Sequence, residues 1–232
     1  MKKLSLFIAA MFLSLTAMAQ GQNQPPMPSN VVYNTRSYNA AQDVGRSHNN
    51  SPTFFIYPDA RVDETGAKAF IEQLGMQAVV EANHASVYVL NPVGEKYDVK
   101  ADFDAFVEMF NRARSGNLKV VGVGNGATFV NQALAATDAA SHIAGVLTIG
   151  GKTFKAPAQS HGVPAYVAGK TAKAVAKSYV AINKAVKDGE KYANADEPLL
   201  TVVVNENASA SLAEIFAAAW SEVLGKNFRY NN

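Results

Sequence analysis

The sequence lacks cysteine altogether, and this absence removes several kinds of chemistry at once. Without a thiol, the chain forms no disulfide bond, no cysteine zinc site, no iron–sulfur cluster and no thiolate nucleophile. Lipid anchoring through cysteine is excluded for the same reason. Any stability must therefore come from packing and hydrogen bonds, and any nucleophile must be something other than sulfur.

The sequence also has little net charge. Its formal charge at pH 7 is +2, and loss of Lys2 and Lys3 with an N-terminal leader would bring the charge to about zero. A strong basic field is missing, so we expect no nucleic-acid partner. The hydrophobic fraction of 48% is too high for a disordered chain, and it predicts a globular protein.

Long hydrophobic runs are missing, apart from one short run near the N-terminus. Lys2 and Lys3 precede apolar residues 4–17, and Ala17-Met18-Ala19 then offers small residues for cleavage. This order is typical of a secretory signal peptide, and the run is too short to span a membrane. The alternative is a buried N-terminal helix. We predict a signal peptide over residues 1–19, a secreted or periplasmic protein, and no membrane partner after cleavage.

The next segment is polar and irregular. Residues 20–30 are rich in Pro, Gln and Asn, which predicts an extended linker. Residues 31–51 are harder to assign, although Val31-Val32-Tyr33 is compatible with a short strand. We assign residues 20–51 to a linker and irregular segment, and residues 52–232 to one domain.

Strand and helix patterns alternate about six times from residue 52 onward. Continuous apolar runs are typical of strands buried on both faces, and apolar residues at i, i+3 and i+4 predict helices between them. This alternation predicts an α/β fold, with a mostly parallel sheet and helices on both faces. The strand over 118–123 should be central. The predicted strands are residues 53–57, 86–90, 118–123, 143–149, 163–168 and 199–204. The predicted helical stripes cover residues 67–74, 103–110, 126–136, 175–186 and 212–224. Ser211 and Glu214 have the spacing of a capping box at the start of the last helix.

One strand–turn–helix segment carries the functional question. Residues 118–129 read LKVVGVGNGATF, with glycine at alternate positions around the turn. We expect Gly124 to make this turn with a positive φ. A nucleophile elbow, G-x-S-x-G, has this shape and lifts a serine above the sheet edge. Gly122, Gly124 and Ala127 also satisfy the dinucleotide fingerprint G-x-G-x-x-G/A. A third interpretation is a glycine turn that only serves tight packing.

Position weakens the dinucleotide interpretation. The fingerprint should follow the first strand of the sheet, but this turn follows the third. It should also be followed by an acidic residue at the end of the next strand, which binds a ribose hydroxyl. That strand ends at Gly150-Gly151 instead.

Three segments resemble the α/β-hydrolase family, in its secreted poly(3-hydroxybutyrate) depolymerase-like and esterase-like branch. Residues 121–128, VGVGNGAT, resemble the G-L-S-N-G-G elbow of that branch. Residues 143–151 are similar to the strand that follows, and residues 163–169 resemble the V-P strand that delivers the catalytic acid. The resemblance covers roughly residues 52–229. It implies a hydrolase-like three-layer fold and serine-esterase chemistry.

The departures from that pattern concern every member of the triad. Gly124 stands at the nucleophile position, and glycine has no side chain with which to form an acyl-enzyme. The resemblance puts the catalytic acid near Gly169, Lys170 or Thr171, none of which is a carboxylate. No histidine follows position 161. We therefore predict a binding or accessory module without an intact catalytic triad.

Two alternatives remain open at this point. One is an active secreted carboxylic-ester hydrolase that uses other groups, and the second is a dinucleotide-binding oxidoreductase. For the accessory module, the expected partner is a polymeric or ester ligand, or a downstream catalytic domain. We expect no cofactor and no metal.

Five residues are expected to line a pocket at the carboxyl ends of the strands. Asp59, Asp63 and Glu64 follow the first strand, where an oxyanion loop would lie, but we favour a solvated helix start, because acidic residues suit a helix N-terminus. The histidines are interpreted as surface or capping residues. The predicted pocket residues are Asp59, Ala60, Gly124, Asn125 and Asn205. The four histidines are His48, His84, His142 and His161.

Overall fold

The computed structural model describes residues 27–35, 51–113, 115–157 and 161–227. The predicted signal peptide, most of the predicted linker and His48 lie outside these residues. Within them, nine strands form one sheet, in the order β1-β3-β2-β4-β5-β6-β9-β8-β7. The strands are β1 Val31–Thr35, β2 Thr53–Tyr57, β3 Ser86–Leu90, β4 Leu118–Val123, β5 Ile143–Ile149, β6 Ala165–Ala168, β7 Val186–Asp188, β8 Lys191–Ala193 and β9 Thr201–Asn205.

The six central strands, from β3 to β9, all pair in parallel. Antiparallel strands close both edges, with β1 on β3 and the β7–β8 hairpin on β9. The predicted mostly parallel sheet is confirmed, and so is the interior place of β4 between β2 and β5. The short strand allowed at residues 31–33 exists and extends to Thr35.

Helices cover both faces of the sheet, as predicted. The helices are α1 Glu64–Gln73, α2 Gln77–Asn83, α3 Val99–Ala113, α4 Asn125–Phe129, α5 Ala172–Ile182 and α6 Leu212–Glu222. A π-helical stretch, Val130–Ala135, continues α4, and short 3₁₀ turns span Asp138–His142 and Leu224–Lys226.

The alternating side chains of the strands feed two separate apolar cores. Phe55 and Tyr57 of β2 face one core, which is completed by α3, α4, the π-helical stretch and α5. Phe54 and Ile56 face the other, which α1, α2 and α6 cover. Because each of these four side chains is at most 1% exposed, β2 is buried on both sides, which explains its unbroken apolar sequence.

The structure corrects the predicted limits of several elements. The helix predicted over 175–186 ends at Ile182, because Lys184 adopts a positive φ of 48° and turns the chain. Val186 is therefore 62% exposed in a hairpin strand rather than buried in a helix. The strands predicted from residues 163 and 199 begin two residues later, at Ala165 and Thr201.

Candidate functional site

The candidate site lies where the chain reverses its direction of travel across the sheet. The strand β2 leads into α1 on one face, whereas its neighbour β4 leads into α4 on the other face. Connections that leave in opposite directions open a crevice at the carboxyl ends of the two strands, and ligands of open α/β sheets bind at such points. Asp59 follows β2, and Gly124 and Asn125 follow β4, at this same point.

Gly124 makes the sharp turn between β4 and α4. We call this turn, residues 123–125, the elbow. Its backbone has φ 56° and ψ −114°, a conformation that side chains other than hydrogen rarely tolerate. The predicted positive φ is therefore confirmed. The Gly124 amide donates to the Ile149 carbonyl at 2.9 Å, and its carbonyl accepts from the Thr128 amide at 3.0 Å. The turn is thus fixed on both sides, by β5 and by the first turn of α4.

Asp59 fills the space above this turn. Its carboxylate oxygen Oδ1 accepts a hydrogen bond of 2.7 Å from the Asn125 amide, and the Asn125 side-chain amide donates to the Asp59 carbonyl at 3.2 Å. A Cβ atom on Gly124 would lie 2.0 Å from the same Oδ1. The carboxylate therefore takes up both the volume that a side chain at position 124 would need and the hydrogen bond of the amide that follows it.

The other glycines of the motif serve close packing. A Cβ atom on Gly126 would lie 2.1 Å from the Tyr57 carbonyl, and one on Gly122 would lie 2.7 Å from the Ala127 Cα. The start of α4 is thus pressed against the ends of β2 and β4. This close packing explains the alternate glycines without a bound phosphate. It agrees with the third interpretation of the sequence, a glycine turn that serves tight packing.

Backbone rather than side chains lines the carboxyl edge beyond Gly124. Three neighbouring strands, β4, β5 and β6, are followed by glycines of positive φ, namely Gly124, Gly150 and Gly169. We call these three the glycine row. The Gly150 amide donates to Ala168 at 2.9 Å and the Gly169 amide to Asn205 at 3.0 Å, so each extends the sheet by one hydrogen bond. The row provides no group that transfers a proton.

The structure brings together only part of the predicted pocket. Asp59, Gly124 and Asn125 are in direct contact, and Ala60 is exposed beside them. Asn205 ends β9, three strands from β4, which corresponds to about 14 Å at the usual strand spacing. Its side chain donates to the Tyr166 hydroxyl at 3.1 Å and accepts from the Asn207 amide at 2.9 Å. It caps a polar turn and does not face Asp59.

The acidic residues after β2 divide between two roles. Asp63 is the N-cap of α1 and accepts from the Gly66 amide at 2.7 Å, while Glu64 lies in the first turn and pairs with Lys68. These two residues form the helix start that the sequence allowed. Asp59 does not take part in that start, and its contact with the elbow could not be found by sequence pattern.

The three described histidines all precede strands, at the opposite edge of the sheet. His84 ends α2 with φ 49°, and the ring of His142 lies 4.8 Å from that of Phe110. His161 is exposed before β6. Within the described residues, the carboxyl edge near Gly124 therefore has no imidazole to act as a base.

Two tyrosines, the buried Tyr57 and the half-buried Tyr97, lie next to the elbow. Tyr97 stacks on Phe129, with ring centres 5.5 Å apart, and its hydroxyl lies 3.0 Å from the Pro58 carbonyl. Burial raises the pKa of Tyr97, and the carboxylates of Asp102 and Asp59 raise it further. Burial likewise raises the pKa of Tyr57 well above its usual value. Both phenols stay neutral at physiological pH and offer no basic group.

Sequence reasoning missed two buried charged residues. Asp102 accepts hydrogen bonds from the Val93 amide at 2.7 Å and the Asp98 amide at 2.6 Å, which fixes the segment before α3. Lys119 lies inside β4 with no exposed surface, and its ammonium group donates to the Asn227 carbonyl. A lysine within an apolar strand pattern was the available signal for the second.

Comparisons with known proteins assign the chain to no family. No family model, no curated protein and no solved structure matches the chain. In the part of the chain that the structure describes, no three His, Asp or Glu side chains are grouped to hold a metal ion. No helix there is long and apolar enough to cross a membrane.

Proposed function

We propose that this chain is an exported α/β-hydrolase-like module that binds a partner and does not hydrolyse esters. The partner would be a polymeric or ester ligand, or a downstream catalytic domain. One observation carries the proposal. The Asp59 carboxylate occupies the place of a side chain at Gly124 and accepts a hydrogen bond from the Asn125 amide.

The chemistry of acyl transfer explains why this contact matters. The reaction needs a nucleophile, a base that takes its proton, an acid that orients the base, and free amide donors for the oxyanion. At the elbow the nucleophile position is Gly124, and the Asn125 amide already donates to a carboxylate. A negatively charged tetrahedral intermediate would therefore meet a fixed negative charge instead of a donor.

The same contact disfavours a dinucleotide. A pyrophosphate binds at free backbone amides of a helix N-terminus, where the helix dipole favours negative charge. At the start of α4 the Asp59 carboxylate already fills that role, and a phosphate would be repelled. The oxidoreductase alternative therefore has no geometric support at this turn.

Labelling and burst kinetics test the proposal. The full chain is incubated with a fluorophosphonate probe and, separately, with p-nitrophenyl acetate, beside an active serine esterase as positive control. We expect no labelled band and no stoichiometric release of p-nitrophenol. A burst from the unmodified chain would overturn the proposal and establish the active ester hydrolase instead.

A double substitution sharpens the kinetic test. Gly124→Ser combined with Asp59→Gly supplies a hydroxyl and removes the carboxylate that collides with it. We still expect no burst, because no described histidine lies near enough to activate the serine. Rapid acylation of this variant would show that a hidden base exists, and it would contradict the non-catalytic assignment.

Export is a separate part of the proposal, and it depends on the pattern of residues 1–19. Fractionation of cells that produce a C-terminally tagged chain tests it. We expect the tagged protein in the periplasmic or extracellular fraction, shortened by the length of the leader. Full-length protein confined to the cytoplasm would contradict export without affecting the argument about the elbow.

A further inference from the structure

Basic and acidic residues are unevenly distributed along the chain. Residues 139–187 contain seven lysines and neither Asp nor Glu, whereas residues 59–108 contain ten acidic residues and four Lys or Arg. The formal net charge of +2 conceals this separation. The chain therefore contains a long stretch with basic residues and no acidic ones, although its total charge is small.

The fold gathers five of these lysines beside the glycine row. They lie in the segment after β5 and at the beginning of α5. We call them the lysine face: Lys152, Lys155, Lys170, Lys173 and Lys177. All five side chains belong to exposed residues. Among the described residues, none of the five has a carboxylate within salt-bridge distance.

Specific contacts hold the segment after β5 against its surroundings. The Lys152 amide donates to the Thr128 hydroxyl at 3.1 Å, and the Lys152 carbonyl accepts from the Asn131 side chain at 2.9 Å. The Ser178 hydroxyl of α5 donates to the Phe154 carbonyl at 2.6 Å. These bonds place Lys152 close to the elbow and Lys155 next to α5.

The start of α5 meets the same region. A Cβ atom on Gly169 would lie 3.4 Å from the Gly150 amide nitrogen, so the turns that lead to Lys152 and Lys170 are in contact. Lys173 and Lys177 then follow one helical turn apart, on the same side of α5. The lysine face thus runs from the elbow along the first half of α5.

Helix stability does not explain this arrangement. Like charges one turn apart repel each other, and lysines near a helix N-terminus oppose the helix dipole. The first turn of α5 contains no acidic residue, and the side chain of its N-cap Thr171 makes no capping hydrogen bond. An anionic ligand bound beside these lysines would relieve this repulsion.

The composition of the face narrows the class of ligand. Residues 151–157 and 169–177 contain no arginine, and Phe154, the one aromatic residue among them, is buried. Nucleic-acid sites usually add arginine forks or aromatic stacking, and protein interfaces depend on apolar or arginine anchors. No large apolar side chain of these residues is exposed to enter a lipid surface. A row of separate ammonium groups suits carboxylates spaced along a hydrated chain.

We propose that the lysine face binds a linear anionic polysaccharide. This inference names a ligand class for the binding module proposed above and rests on that proposal. Ester turnover and polysaccharide binding are measured in separate assays, so either proposal can fail alone. Because exposed ammonium groups carry the interaction, its affinity must fall steeply with salt.

The experiment compares two triple variants of the full chain that lose the same charge. In the first variant, called the α5 variant, Lys170, Lys173 and Lys177 at and before the start of α5 are changed to Gln. In the second, called the control variant, Lys68, Lys96 and Lys100 are changed to Gln. Binding to polygalacturonate is measured by affinity electrophoresis at low salt, with uncharged dextran as a blank. We expect the α5 variant to lose affinity about tenfold and the control variant less than about twofold. Circular dichroism checks that both variants remain folded.

Three other outcomes would each overturn the proposal that the lysine face binds an anionic polysaccharide. Equal losses in the two variants would show a response to net charge rather than to the lysine face. Tighter binding of single-stranded DNA or of anionic phospholipid vesicles, at the same salt, would assign the face to another class of ligand. Light scattering that shows salt-sensitive dimers, lost in the α5 variant, would assign it to a second copy of this chain.

Discussion

At the scale of single residues, the contact between Asp59 and the elbow determines what position 124 can hold. Gly124 combines a positive φ with a neighbour that leaves no room for Cβ, so two independent restrictions act at one site. Gly189, in the β7–β8 hairpin, has a similar φ of 61°, yet a Cβ atom there would meet nothing within 4 Å. The two glycines therefore share a positive φ and differ in the room around a Cβ atom.

We predict that Gly124→Ser destabilises the protein more than Gly189→Ser does. Both substitutions place a side chain at positive φ, which costs about 1–2 kcal/mol, but only the first meets a carboxylate oxygen. The difference in unfolding free energy between the variants should be about 1 kcal/mol or more, because Asp59 must turn away and lose its hydrogen bond from the Asn125 amide. Urea titration measures it. Equal losses would mean that Asp59 moves aside at no cost.

Lys119 is the second residue whose surroundings have a measurable effect on stability, because it is fully buried. It belongs to the interior strand β4 and lies beneath the 3₁₀ turn that ends at Lys226, where it donates to the Asn227 carbonyl. Burial lowers the pKa of Lys119 from 10.5 to about 7. The folded protein thus releases a proton that the unfolded chain keeps, between about pH 7 and 10.5.

We predict that burial of Lys119 makes a contribution to the unfolding free energy that rises with pH across this window. The unfolded state binds the extra proton there, so stability grows by about 1.4 kcal/mol per pH unit. Lys119→Met removes this contribution, so from pH 7.5 to 9.5 the wild type should gain about 2–3 kcal/mol relative to the variant. Chemical unfolding at several pH values tests it. The exposed Lys184→Met serves as control, and a variant slope equal to that of the wild type would contradict the prediction.

At the scale of elements, the sequence predicted what depends on apolar pattern and missed what depends on local geometry. The strands β2, β3, β4 and β5 match their predicted limits, because burial on both faces leaves continuous apolar runs. The capping box of α6 is also confirmed, with Ser211 and Glu214 bonded reciprocally. These features are local in sequence, so a pattern search finds them.

The missed elements are short and bury little. The helix α2 contains no buried residue, and β7 is exposed throughout, so neither produces an apolar stripe. The Asp188-Gly189 pair was the available hairpin signal. At the site, the positive φ of Gly124 was predictable from the turn motif. The Asp59 contact was not, since it joins residues 66 positions apart through a side chain.

At the scale of the whole molecule, the sheet is protected in its middle and open at its edges. The strand β4 has a parallel neighbour on each side and helices on both faces, and its residues from Leu118 to Gly122 are buried. The β7–β8 hairpin forms one edge, and each residue of β7 is exposed. The charges divide across the same sheet, with acidic residues around β2 and β3 and lysines around β6 and α5.

We predict that amide hydrogen exchange follows this gradient from the middle of the sheet to its edges. Amides of β4 and β5 should open only on global unfolding, whereas those of the β7–β8 hairpin should exchange through local opening. Exchange measured residue by residue checks this. Equal protection of β4 and β7 would show that the hairpin opens only together with the sheet.

The position of Asp59 also imposes an order on substitutions that place a larger residue at position 124. A serine introduced first at position 124 collides with the carboxylate, so this step carries a folding defect. Loss of the carboxylate must come first, although that step alone brings no new activity. We therefore expect the effects of the two substitutions on the free energy of unfolding to be non-additive. One side-chain contact thereby makes the order of two substitutions matter for the stability of the intermediate.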